Sequence, residues 1–225
     1  MATEQFLRGL LRFPSVHMPA AAASPIRLVA GLGNPGREYE NTRHNAGFFV
    51  VDRLCTRLGL SLAFSGPWQT LWARTADGCA FMKPQTFMNL SGRAVRACAQ
   101  FYKIAASETL IVYDDLALPL GQLRLRKDGS SGGQNGMESV INHFGTNAVP
   151  RLRVGIGAAT GHRSMVDHVL GKFTPDERAE LEVAVERAAD AVQHARLHGV
   201  ESAMNLFNRS DEEKPKKKPA PQPEQ

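Results

Sequence analysis

Two stretches of this 225-residue chain carry side chains with usable chemistry. In GLGNPGREYENTRHNAG, Gly31 to Gly47, Asn34 and His44 stand in a polar segment behind an apolar run. In LIVYDD, from Leu110, a short apolar run ends in Asp114 and Asp115. A loop histidine titrates near neutral pH, which suits it to proton transfer. Gly31, Gly33 and Gly36 also have the spacing of a dinucleotide-binding loop. That fingerprint needs a helix opening at its second glycine and an acid closing a second strand about twenty residues on. Here Pro35 and Gly36 make a turn, REYENTRH intervenes, and Asp52 falls inside the next helical pattern, so the glycine spacing reads as accidental. A nucleophilic serine or cysteine is also disfavoured. Ser91 follows NLSG, but no GxSxG elbow exists, and Cys55 and Cys98 lie on apolar helix faces where burial makes thiols inert.

The elements that must position these residues follow from periodicity. IRLVAGLG, from Ile26, reads as a buried strand. NAGFFVVDRLCTRLGL puts Phe48, Val51, Leu54, Cys55 and Leu58 on one helix face. WQTLWARTADGCAFMKPQ, from Trp68, reads as two strands around an Asp77-Gly78 turn. MNLSGRAVRACAQFYKI predicts an amphipathic helix with Leu90, Ala94, Val95, Cys98 and Phe101 facing the core. LIVYDD, GQLRLRK and RLRVGIG are further strands, and MESVINHF a short helix. A long helix begins at Thr174-Pro175, with Glu177 three residues after the cap, and runs toward Gly199. Strands separated by helices imply a single-domain α/β fold, a three-layer sandwich with helices on both faces of a mixed sheet. Side chains alternate along a strand, so Asp115 should face away from Asp114 as a structural or solvated acid, and Arg124 and Arg126 should share a face opposite Leu123 and Leu125.

Bulk properties bound the possibilities. A hydrophobic content of 43% over this length suits one domain, expected over residues 26–208. Three cysteines without CxxC pairing argue against a disulfide framework or a zinc site and suit a reducing compartment. The net charge of +5 permits an anionic partner without requiring one. No run of eighteen apolar residues exists to span a membrane. Residues 1–25, with Arg8 and Arg12 in FLRGLLRF, read as a disordered extension, the alternative being a transit peptide. Residues 209–225, containing KPKKKPAPQPEQ, read as a disordered basic, proline-rich tail able to add weak affinity for nucleic acid.

In this order and at these separations, GLGNPGREYENTRHNAG, KPQTFMNLSG, YDDLALPLGQLRLR, SSGGQNG and RLRVGIG resemble the bacterial-type peptidyl-tRNA hydrolases. The five blocks span about Ile26 to Phe173, and both ends of the chain lie outside them. The resemblance implies a single α/β domain that hydrolyses, without metal or other cofactor, the ester joining a prematurely released peptide to tRNA. It puts the catalytic histidine on His44 and its carboxylate partner on Asp114. Substrate-gripping asparagines fall on Asn34, Asn89 and Asn135, a pocket residue on Met88, and tRNA-contacting arginines on Arg126 and Arg153, with His162 or Arg163 aligned less securely. An amide offers donors and an acceptor, so several of them can read a peptide backbone whatever its side chains. The implied partner is peptidyl-tRNA, acted on by a monomer in the cytoplasm, or in a mitochondrion or plastid if the amino-terminal extension directs import. Two positions depart from the pattern: Gln134 stands where many members have histidine, and Ala117 where many have a second aspartate. The alternative is a non-catalytic RNA-binding relative, of the kind used in splicing, on the same fold.

Overall fold

The computed structural model describes residues 25–159 and 164–208. The expected amino-terminal extension, the carboxy-terminal tail, and His162 and Arg163 therefore lie outside the described residues, apart from Pro25 at the extension's end.

Seven strands form one mixed sheet: β1 (Leu28–Gly31), β2 (Ala63–Ser65), β3 (Thr70–Arg74), β4 (Ala80–Pro84), β5 (Thr109–Asp115), β6 (Leu123–Arg126) and β7 (Arg151–Gly155), in the order β2-β3-β4-β1-β5-β7-β6. The four central strands β4, β1, β5 and β7 are parallel, while β2, β3 and β6 run antiparallel to their neighbours. Central parallel strands are covered on both faces, which is why LVAG and TLIVYDD read as nearly continuous apolar runs.

The covering helices are α1 (Ala46–Arg57), α2 (Ser91–Phe101), α3 (Asn135–Phe144), α4 (Met165–Val169), α5 (Pro175–His198) and α6 (Val200–Phe207). Alternation along the strands divides the core in two. Val29, Phe81, Leu110, Val112, Leu152 and Val154 pack with α1, α5 and α6. Leu28, Ala30, Met82, Ile111 and Tyr113 pack with α2 and α3. The result is the three-layer α/β sandwich expected from the pattern.

Local rules hold where they do not compete with packing. Thr174 and Glu177 form the capping box of α5, Gly145 ends α3 in the left-handed region (φ 68°), and Gly78 (φ 92°) turns the β3–β4 hairpin. Leu123 and Leu125 are buried while Arg124 and Arg126 reach the opposite, wetter face, as expected.

Other expectations give way. Ala94, Val95 and Cys98 of α2 are buried, but Leu90 and Phe101 at its ends are 46% and 67% exposed, the Phe101 ring lying against Trp68 and Tyr102. The hairpin begins at Thr70 rather than Trp68; the Trp68 ring instead meets Trp72, Phe101 and Tyr102. Strand β2 and helices α4 and α6 carry patterns too short to be read from the sequence.

Two glycines of that spacing, Gly31 and Gly33, have packing roles of their own. A Cβ at Gly31 would collide with the carbonyl of Gly47, one at Gly47 with the carbonyl of Val112, and one at Gly33 with Asn45 and Phe48. These glycines let the start of α1 lie against the ends of β1 and β5. Gly31 and Gly47 set backbone against backbone, and Gly33 makes room for the side chains of Asn45 and Phe48.

Candidate active site

The chain leaves β1 toward the α1 face, whereas its neighbour β4 leads into α2 on the other face. In parallel α/β sheets the crevice beyond the carboxyl ends of such strands is where ligands bind. A cavity of about 750 Å³ opens there, lined among others by His44, Asp114, Asp115, Gln134, Asn135 and Val166.

His44 sits in a 3₁₀ turn, Arg43–Asn45, that runs directly into α1. The turn is strapped in place by its neighbours: the buried Arg43 donates to Glu177 Oε2 at 2.7 Å, and its backbone N–H donates to the carbonyl of Gly171. Asp114 is the penultimate residue of β5 and its side chain is 2% exposed, against 12% for His44. His44 Nδ1 lies 2.8 Å from Asp114 Oδ2. An ionised carboxylate only accepts, so Nδ1 carries the proton and Nε2 is left as a base. The second carboxylate oxygen, Oδ1, accepts from Gln134 Nε2 at 3.0 Å.

The other expected residues are placed differently. Asn135 opens α3, is exposed, and lines the same cavity. Asn34 is buried and lines a second, smaller cavity of about 320 Å³, beside Phe48, Asp52 and Lys83. Its Oδ1 accepts from Met88 N at 2.7 Å, which fixes the short turn Met88–Leu90 ahead of α2. Met88 is buried, with its sulfur 3.3 Å from Gln134 Nε2, and Asn89 beside it is exposed. Arg126 is exposed at the sheet edge, paired in register with Arg151. Arg153, opposite Arg124, is ion-paired with Asp115.

Asp115 does face the side opposite Asp114, with Ile111 and Tyr113. It is not a solvated acid, however: Oδ2 is held by Arg153 and Oδ1 accepts from Ala117 N at 2.8 Å. At Ala117 the backbone N–H thus supplies the contact that orders the turn after β5.

Sequence reasoning passed over two residues. Asn45 is of a cap-forming type yet makes no cap; its Oδ1 accepts from Asn34 N at 2.8 Å and its Nδ2 donates to Asn34 O at 3.1 Å. Arg151 is 1% exposed and donates to the carbonyls of Gly129, Ser130 and Asn147, holding the glycine-serine loop that leads to Gln134. Their signal in the sequence was proximity alone, Asn45 next to His44 and Arg151 two residues before Arg153.

The thiols are poor nucleophiles in this setting. Burial pushes Cys55 up to about 11, and Cys79 and Cys98 up to about 12. Ser91 is fully buried. Among the described residues no three His, Cys, Asp or Glu side chains converge as a metal site would need, and no helix is long and apolar enough to cross a membrane.

The chain and its fold match known proteins. Residues 28–217 match the family described as Peptidyl-tRNA hydrolase. A peptidyl-tRNA hydrolase of Synechococcus sp. (strain JA-3-3Ab) is 47% identical over 204 residues, 88% of this chain and 89% of that protein. One from Geobacillus kaustophilus is 47% identical over 186 residues, 81% of this chain and 100% of that protein. The crystal structure of peptidyl-tRNA hydrolase from Acinetobacter baumannii superposes with a TM-score of 0.77 at 36% identity, covering 84% of this chain and 97% of that one. Matching these enzymes in fold and over most of its length, the chain belongs to the peptidyl-tRNA hydrolase family.

Proposed function

We propose that this chain releases peptides from tRNA by direct attack of water on the ester between the peptide carboxyl and the terminal ribose, with His44 as the base and Asp114 as its partner. The observation that carries this reading is the 2.8 Å contact between His44 Nδ1 and Asp114 Oδ2 at the wall of a cavity large enough for the linkage. His44 Nε2 takes a proton from water as its oxygen bonds to the ester carbon. The buried carboxylate supports the imidazolium that forms. Collapse of the tetrahedral intermediate breaks the bond to the ribose oxygen, which recovers the proton from Nε2. The products are a peptide acid and a tRNA with a free ribose hydroxyl.

Asn135, at the start of α3 and beside this pair, is suited to support the oxyanion with its side-chain N–H. Asn89 offers its amide to the peptide backbone, while Asn34 combines a grip on the peptide with its hold on Met88, which forms an apolar wall. Arg126 and Arg153 take tRNA phosphates on the sheet face that also carries Arg124, a sequence-independent contact suited to all tRNAs. Action as a monomer in the cytoplasm is part of this reading, and the three buried free thiols suit that compartment.

The test is release of the amino acid from N-acetyl-aminoacyl-tRNA by the wild type and by His44→Ala. The reading expects a loss of about a thousandfold in kcat, within the usual range for a general base, with tRNA affinity kept within about twofold. If both proteins bind tRNA and neither hydrolyses the ester, the non-catalytic RNA-binding alternative replaces it.

A further inference from the structure

Both ends of the Gln134 side chain are engaged by the protein. Its Oε1 accepts from Met137 N at 2.7 Å, capping α3. Its Nε2 lies 3.0 Å from Asp114 Oδ1 and 3.3 Å from Met88 Sδ, so both amide hydrogens also have a direction. Because Met137 N–H is an obligatory donor, the oxygen end of this amide must point toward the helix and the nitrogen end toward the carboxylate. Gly136 completes the arrangement: a Cβ there would collide with the Met88 sulfur and crowd Gln134 Oε1 and Leu32.

We infer that Gln134 is a positioning residue for the reaction: the start of α3 acts through its amide to hold Asp114 so that only Oδ2 faces His44. This rests on the reading of His44 and Asp114 above. The amide carries no proton that titrates near neutrality, so its hold on Asp114 does not change with pH. Although Gln134 lines the cavity, both its amide hydrogens are directed within the protein, which leaves it no donor for substrate, unlike the neighbouring exposed Asn135. The other titratable side chains lining the cavity are Tyr113 and Asp115, both on the opposite side of β5 from Asp114, and Asp115 is committed to Arg153.

Gln134→Glu separates positioning from capping. A carboxylate still accepts from Met137 N, so α3 keeps its cap and thermal unfolding should stay near the wild type. The group facing Asp114 Oδ1 becomes an acceptor, and a second negative charge is placed near the imidazole. An added anion favours imidazolium, so the base becomes available only at higher pH. On N-acetyl-aminoacyl-tRNA, kcat at neutral pH should fall about tenfold with KM within about twofold. The acid limb of the kcat profile should move up by about one pH unit. The His44 imidazole titration followed by NMR in the free protein should move the same way. Gln134→Met, which is neutral and of similar length, should lose kcat without displacing the limb.

A wild-type kcat and limb in Gln134→Glu, or a wild-type kcat in Gln134→Met, would reduce Gln134 to a helix cap and overturn the inference. A defect confined to KM would make it a substrate contact and overturn it equally. Should Gln134→Glu fail to fold, the kcat of Gln134→Met decides. An inactive wild type, or a fully active His44→Ala, would instead remove the function proposed above.

Discussion

At the ends of β1 and β5, His44, Asp114, Asn34 and Asn45 direct their hydrogen bonds at one another and at neighbouring backbone, whereas Asn89, Asn135 and Arg126 turn their polar ends to solvent. The first group stands on a tight packing: glycines at 31, 33 and 47 bring α1 against two strands, and Arg43 ties the histidine turn to the start of α5. The second group stands at the starts of helices and on an edge strand. Groups that move protons gain from being oriented before substrate arrives, because reorganisation during the reaction costs rate. Groups that grip a ligand need donors not already satisfied within the fold.

If that division is right, substitutions on the two sides fail differently. Asp114→Ala should produce the largest effect, a fall in kcat of about a hundredfold to a thousandfold with tRNA affinity nearly unchanged, since it disturbs the base and not the grip. Equal losses in kcat and affinity, read from steady-state kinetics and filter binding, would break the comparison. Asn135→Ala, removing a group that supports the oxyanion without orienting the base, should cost about tenfold in kcat/KM while leaving the pH profile in place. A displaced acid limb in that variant would move Asn135 to the oriented side.

Arg126→Ala should weaken tRNA binding a few-fold, leave kcat at saturation intact, and lower the slope of log affinity against log salt by a little under one. A salt-independent defect would indicate damage to the edge strand instead. The smallest effect is expected from iodoacetamide. With Cys55 near 11 and Cys79 and Cys98 near 12, the thiols are protonated at pH 8, and brief treatment should leave the rate unchanged. Rapid inactivation would reopen a cysteine nucleophile.

Much of the architecture is legible in the sequence, because buried strands and amphipathic helices impose periods of their own. The near-continuous apolar run of β5, the hairpin around Gly78 and the capping box at Thr174 are local consequences of local residues. So is the parity that sends Asp114 and Asp115 to opposite faces. Strand β2, with three residues, and helix α4, with five, are too short for a period to show, and their existence depends on what they pack against. The pairing of His44 with Asp114 entered only through the resemblance to a family, since residues seventy positions apart have no periodic signal linking them.

The amino-acid order alone sets where chain segments become strands or helices and which of their sides are apolar, since these follow from backbone sterics and spacing within a few residues. Tertiary structure decides how particular side chains are used. Asn45 leaves the role of helix cap to hold Asn34, Gln134 joins Met137 to Asp114, and Gly31, in a spacing like that of a nucleotide loop, lets backbone pack on the carbonyl of Gly47. Each of these outcomes depends on which distant atom comes within about 3 Å of a donor or of a missing Cβ, and only the assembled sheet brings those atoms together.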